Sequence, residues 1–180
     1  MNDNELLQHI FIKKGDITSE ESDAIVNAAN TSLLGGGGVD GAIHRAAGIK
    51  LLEECRKLGG CKTGEAKITK GYNLKAKYII HTPGPIYIDG KNKEPEMLRN
   101  SYWNSLLIIK EHGLKSVSFP AVSTGVYRFP RYEAAKIAIE TVLSFMNDEK
   151  YIVDVSFVLF DNDNFDIYKK IIEGLKNELH

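Results

Sequence analysis

At 180 residues the chain is long enough to bury a core of its own without disulfides or structural metals, and it reads as one domain over residues 1–180. Lysine and arginine total 23 against 24 acidic residues, a formal net charge of −1, so no bulk attraction to nucleic acid or to a membrane surface is expected and any bound anion must be held locally. No stretch approaches the roughly 20 apolar residues of a membrane helix, Met1-Asn2-Asp3-Asn4-Glu5 lacks a signal peptide's basic and apolar regions, and Cys55 and Cys61 fit neither zinc-type spacing nor a disulfide framework; a cytoplasmic monomer is expected.

Strand and helix signals then alternate along the chain. His9 to Lys14 reads as a first strand, closed by the turn Gly15-Asp16-Ile17. Thr18-Ser19-Glu20-Glu21 follows with the spacing of a capping box that opens a short helical turn. Ala24 to Val26 is a second strand. Beyond four consecutive glycines, Ile43, Ala47, Leu51, Cys55 and Leu58 recur at helical spacing, which predicts one helix from Val39 or Asp40 to a stop at Gly59-Gly60. Cys55 falls on the apolar face of that helix and is expected to be a buried core thiol.

Glu65 to Thr69 and Tyr78 to Thr82 read as strands, the latter ended by Pro83-Gly84-Pro85. Pro95 suits a first helical turn, with Leu98, Tyr102, Leu106 and Ile109 as the apolar stripe and Gly113 as the stop. Ser116 to Phe119 is the next strand, and Ala135, Ala138, Val142 and Met146 mark a helix after Pro130. Ile152 to Phe160 reads as a strand buried on both faces, and Tyr168, Ile171, Leu175 and Leu179 as the last helix. This alternation predicts an α/β fold, a three-layer α/β/α sandwich around a mixed, largely parallel sheet. Ligands in such folds sit beyond the carboxyl ends of the strands, so Asn27 to Gly38, Thr82 to Pro85, Ala121 to Tyr127 and Asp161 to Asn164 should converge on one edge, with Asp16 beside them.

The chemistry concentrates in those segments. Gly35 to Gly38 run into a helix N-terminus, where backbone amides and the helix dipole favour an anion such as phosphate. The pattern is neither a P-loop nor a dinucleotide fingerprint, and the lysine and serine of phosphoryl transfer are missing. Asn27 and Asn30 flank two alanines at a strand exit, and Asp40 follows the glycine loop. Two amides and a carboxylate suit a sugar's hydroxyls and a proton transfer, but on residue chemistry alone Asp40 could equally cap the helix and the asparagines only tie down the loop. Ser123, Thr124, Gly125, Val126 and Tyr127 offer amides and hydroxyls for a second phosphate face. Asp16 could accept from an exocyclic amine or serve only as a turn residue. Phe160 could stack on a base, although core is its default role. His44, one turn after Asp40, and His81, between two apolar strand residues, are expected to be structural, and no metal motif is present.

Taken together, Gly15-Asp16-Ile17-Thr18, Ile25-Val26-Asn27-Ala28-Ala29-Asn30, Gly35 to His44 and Ser123 to Tyr127 resemble the macro domain family, in particular its MacroD-type hydrolase branch. The resemblance covers nearly the whole chain. It implies a macro domain fold that binds ADP-ribose and hydrolyses O-acetyl-ADP-ribose and mono-ADP-ribose esters on acidic side chains of proteins, without metal or cofactor. On this resemblance Asp16 accepts from the adenine amino group beside the Ile17 amide, and Phe160 stacks on adenine. Asn30 holds the distal ribose, and Asn27, Gly36, Gly37, Gly38 and Val39 join the ligand-binding set. Ser123 to Tyr127 form the diphosphate loop, and Asp40, with Asn30, is catalytic. Arg128 and Pro83 depart from the branch's commoner pattern. A non-catalytic reader of ADP-ribosylation and a phosphatase acting on ADP-ribose 1″-phosphate are the alternatives; RNA binding lacks its basic, aromatic-interleaved stripe.

Overall fold

The computed structural model describes residues 1–179. Six strands, β1 (Ile10–Lys14), β2 (Ala24–Ala29), β3 (Lys67–Lys70), β4 (Tyr78–Pro83), β5 (Ser116–Phe119) and β6 (Asp154–Leu159), form one sheet in the order β1-β6-β5-β2-β4-β3. Every neighbouring pair is parallel except β3 with β4, so the sheet is mixed only at one edge. Helices α1 (Asp3–Leu7), α2 (Gly38–Ala47), α3 (Ile49–Leu58), α4 (Glu94–Glu111), α5 (Arg131–Asp148) and α6 (Asn162–Glu178) complete it.

Alternation along the strands sorts the apolar residues onto two faces. Val26, Ile80 and Phe157 pack with Leu106, Val142 and Tyr168 of α4, α5 and α6. Their neighbours Ile25, Ile79 and Val158 pack with Ile43 and Leu51 of α2 and α3. This period of two is what buries both faces of a parallel sheet, and it gives the three-layer arrangement that the alternating pattern predicts.

Three local features differ from the sequence expectation. The predicted long helix after the glycines is two helices, α2 and α3, because Gly48 takes φ +92° between them; a Cβ there would stand 2.9 Å from Asn73 Nδ2. Apolar periodicity continues across the break because both helices face the same core, so the pattern alone cannot reveal it. The first turn begins two residues earlier than the capping box implies: Asp16, not Thr18, caps a 3-10 turn at Ile17–Ser19 by accepting from the Thr18 amide at 2.9 Å. The short helix α1, capped by Asn2, has too few residues for a periodic signal.

Candidate active site

The carboxyl ends of the parallel strands share one edge, and a cavity of about 510 Å3 opens there, of a size ordinary for small-molecule sites. Three of the segments expected to converge line it. β2 and the loop after it supply Ala28, Ala29, Asn30 and Gly36 to Asp40; the end of β4 supplies Gly84; the loop after β5 supplies Ala121, Ser123, Gly125, Val126 and Tyr127. Asp161 to Asn164 lie alongside, where Asn164 Nδ2 donates to Thr124 Oγ1 at 3.5 Å.

Asp40 occupies the third residue of α2, whose N-cap is Gly37. It therefore does not cap the helix, and its side chain turns inward to only 4 % exposure. Its Oδ1 accepts from Asn27 Nδ2 at 2.8 Å, and His44 Nε2 stands 3.4 Å from the same oxygen, near enough for charge attraction but not hydrogen-bonded. Oδ2 is buried with no partner. Burial pushes the Asp40 carboxyl above its usual 3.8, and the Asn27 hydrogen bond and His44 oppose that rise. A carboxylate with an unsatisfied oxygen and a raised proton affinity is suited to accept a proton.

The glycine loop is shaped around this carboxylate. A Cβ at Gly36 would lie 3.1 Å from Asp40 Oδ2 and 3.3 Å from Asn30 Nδ2, tighter than ordinary van der Waals contact, so the missing side chain lets the loop pack close against both groups. Gly35 at φ +94° and Gly38 at φ +56° take left-handed angles that favour glycine. Asn30 itself secures the loop: its Nδ2 donates to Gly35 O at 2.7 Å, and its Oδ1 accepts from the Ser32 and Leu33 amides.

Across the cavity, Ser123 is held at φ +67° with its Oγ buried and unpartnered. A Cβ at Gly84 would lie 2.1 Å from that Oγ and 2.6 Å from Val122 Cγ1, so only glycine lets the end of β4 meet this loop. Tyr87 N donates to Tyr127 O at 2.8 Å and its ring packs 5.0 Å from that of Phe129. The segment between β4 and α4 thus braces the far side of the loop. It is in turn gathered around Glu94, whose carboxylate accepts from the amides of Ile88, Asp89, Gly90 and Asn92 and is held down to about 2 by those backbone donors. Glu94 carries no signal at sequence level beyond its place before Pro95.

The remaining candidates fall in two places. Asn27 does not line the cavity; it is fully buried beneath Asp40, against His81, and meets the site through its hydrogen bond to that carboxylate. Asp16, Ile17 and Phe160 also lie outside the cavity wall, at the paired ends of β1 and β6, where Gly15 N donates to Leu159 O at 3.0 Å. Asp16 is exposed and Ile17 is buried. Phe160 is 82 % exposed, which removes the core role that was its default and leaves a free aromatic face at the same edge. Cys55 is buried as expected, its thiol pushed up to about 11 chiefly by burial. Among the described residues no cluster of His, Cys, Asp and Glu could hold a metal ion, and no helix is long and apolar enough to cross a membrane.

The macro domain family model matches residues 26–138. A macro domain-containing protein of Chlorobaculum tepidum is 56% identical over 96% of this chain and 98% of its own length. The human ADP-ribose glycohydrolase MACROD2 is 54% identical over 92% of this chain and 39% of that protein. An O-acetyl-ADP-ribose deacetylase of Escherichia fergusonii is 49% identical over 91% of this chain and 94% of its own length. Among solved structures, the Trypanosoma brucei macrodomain in complex with ADP-ribose superposes with a TM-score of 0.89 at 44% identity, covering 94% of this chain and 72% of that one.

Proposed function

The chain belongs to the macro domain family, and from that premise we propose that its cavity binds ADP-ribose and that Asp40 hydrolyses acyl-linked ADP-ribose. The substrates are O-acetyl-ADP-ribose and proteins mono-ADP-ribosylated on acidic side chains. The observation that carries the reading is the Asp40 carboxylate: buried, raised in proton affinity, and with an unpartnered Oδ2 packed beside Gly36 and Asn30.

In this reading the diphosphate lies between the glycine loop at the N-terminus of α2 and the Ser123 to Tyr127 loop. Backbone amides on both sides and the helix dipole offset its charge without any lysine or arginine. Adenine reaches the strand edge at Asp16, the Ile17 amide and the exposed ring of Phe160. The distal ribose then stands against Asn30 and Asp40. Asp40 takes a proton from a water that attacks the acyl carbon, breaking the acyl C–O bond, or the distal ribose carbon that carries the ester, breaking the ribose C–O bond; the proton then passes from Asp40 to the leaving oxygen, and ADP-ribose is released with the carboxylic acid. Neither step calls on a metal or cofactor. The names of two relatives, an ADP-ribose glycohydrolase and an O-acetyl-ADP-ribose deacetylase, support hydrolysis over mere reading of the modification.

The test is incubation with O-acetyl-ADP-ribose and with proteins modified on glutamate, serine or arginine, using wild type and Asp40→Ala. Release from the glutamate-modified protein and the acetyl ester is expected, with Asp40→Ala slower by about 10² to 10⁴-fold and still binding ADP-ribose. Binding without release from any substrate would make the protein a reader instead, and phosphate release from ADP-ribose 1″-phosphate alone would make it a phosphatase.

A further inference from the structure

Behind Asp40, on the face of the sheet covered by α2 and α3, lies a buried polar chain that apolar packing does not call for. β2 and β4 are in register, with Asn27 opposite His81. Both residues are fully buried, and Thr69 on β3 is 2 % exposed. Asn27 Nδ2 lies 2.8 Å from Asp40 Oδ1 and 3.1 Å from His81 Nδ1. His81 Nε2 lies 2.9 Å from Thr69 Oγ1, which donates to Lys70 O at 3.1 Å.

With Asp40 ionised, its contact with the Asn27 amide fixes the proton count along this chain. The Asn27 amide has two hydrogens, and both are spent, one on Asp40 and one on His81 Nδ1. His81 Nδ1 must then be an acceptor, so its ring carries the proton on Nε2 and donates it to Thr69. Turning the Asn27 amide over would set its oxygen 2.8 Å from the ionised Asp40 Oδ1, acceptor against acceptor. Meanwhile Asn27 Oδ1 is buried with no partner. An amide that commits both donors and leaves its acceptor unsatisfied is held for what the donors do, since burying an unpaired acceptor is costly.

We propose that His81 is a positioning residue for Asp40: as a neutral ring with Nδ1 unprotonated, it locks the Asn27 amide so that Asp40 Oδ1 is always hydrogen-bonded and Oδ2 is the oxygen left for chemistry. This rests on Asp40 being the working carboxylate, and it adds what sets that carboxylate's orientation and proton affinity. Burial holds the His81 ring down to about 3, in keeping with a ring that stays neutral. The other titratable groups facing the pair are His44 on α2, whose ring centre is 6.4 Å from that of His81, and Cys55 on α3, with Sγ 3.9 Å from His81 Nε2. The Cys55 thiol, pushed up to about 11, stays neutral with it.

The test uses NMR on the full chain, so it does not depend on turnover. Ring 15N shifts of wild-type His81 should show a neutral ring protonated on Nε2 throughout roughly pH 5 to 8. The Asp40 carboxyl 13C titration should move upward by about one pH unit in His81→Leu, where the Asn27 amide loses its second anchor, and return toward wild type in His81→Asn, whose side-chain oxygen can stand in for Nδ1. A proton on Nδ1, or an Asp40 titration identical in wild type and His81→Leu, overturns the proposal. If His81→Leu fails to fold, the wild-type ring shifts still decide it. Full hydrolytic activity in Asp40→Ala would remove the catalytic reading while leaving the proton arrangement to be judged on these shifts alone.

Discussion

Gly36→Ala separates stability from activity in one substitution. Gly36 does not take a left-handed angle, so alanine is compatible with its backbone, and the loss of unfolded-state freedom favours the variant by about 0.4 to 1 kcal/mol. Against that, the new methyl group meets Asp40 Oδ2 at 3.1 Å and Asn30 Nδ2 at 3.3 Å, contacts that ask each neighbour to yield by a few tenths of an ångström. The two effects oppose each other, and the thermal midpoint should move by no more than a few degrees, at about 2 to 4 °C per kcal/mol for a chain of this size. Activity has no such compensation. The methyl presses on Oδ2, the oxygen the reacting water must meet, and displacing a reacting group by about 1 Å costs on the order of 10²-fold. Steady-state hydrolysis of O-acetyl-ADP-ribose should therefore fall about 10²-fold in kcat, while calorimetric affinity for ADP-ribose changes less than about tenfold. Wild-type kcat in a folded Gly36→Ala protein would refute the placement of the reacting water beside Gly36.

Two further substitutions test the edges of the site. Phe160→Ala removes a ring that is 82 % exposed, so its stability should stay within about 0.5 kcal/mol of wild type, whereas loss of base stacking should weaken ADP-ribose binding by about 1 to 3 kcal/mol; isothermal titration against ADP-ribose and against ribose 5-phosphate, which has no base, reads the difference. Glu94→Gln keeps the shape of the loop's anchor but removes its charge. Because the Glu94 carboxyl is held down from 4.5 to about 2, its contribution to stability is present above 4.5 and is lost as pH falls toward 2. Glu94→Gln should thus lower the melting temperature at pH 7 and flatten the fall of melting temperature between pH 4.5 and 2, and parallel melting curves for the two proteins would count against the anchor.

The sequence by itself determined the layer architecture and the site's raw materials. Alternating β and α periodicities set a sheet covered on both faces, because each pattern buries only one way, and the strand-end loops were bound to gather at one edge because parallel strands end together. The glycine run, Asn30, Asp40 and the Ser123 to Tyr127 loop were all legible there as polar or glycine-rich breaks after apolar strands. Tertiary structure decided the rest. It divided one apolar stripe into two helices at Gly48, because a left-handed turn between helices facing the same core leaves the apolar spacing unbroken. It exposed Phe160, although that residue closes an apolar run, because β6 ends at Leu159 and releases it from the sheet. Above all, it distributed roles that residue type alone left open. Asp40 faces inward as a buried carboxylate instead of capping α2, since Gly37 takes the cap. Asn27, which reads like a second Asn30, points down the opposite side of the carboxylate, because β2 places it opposite His81 on the face that α2 covers. Partners brought together by strand register and helix entry are far apart in the chain, and no spacing within a single segment encodes them.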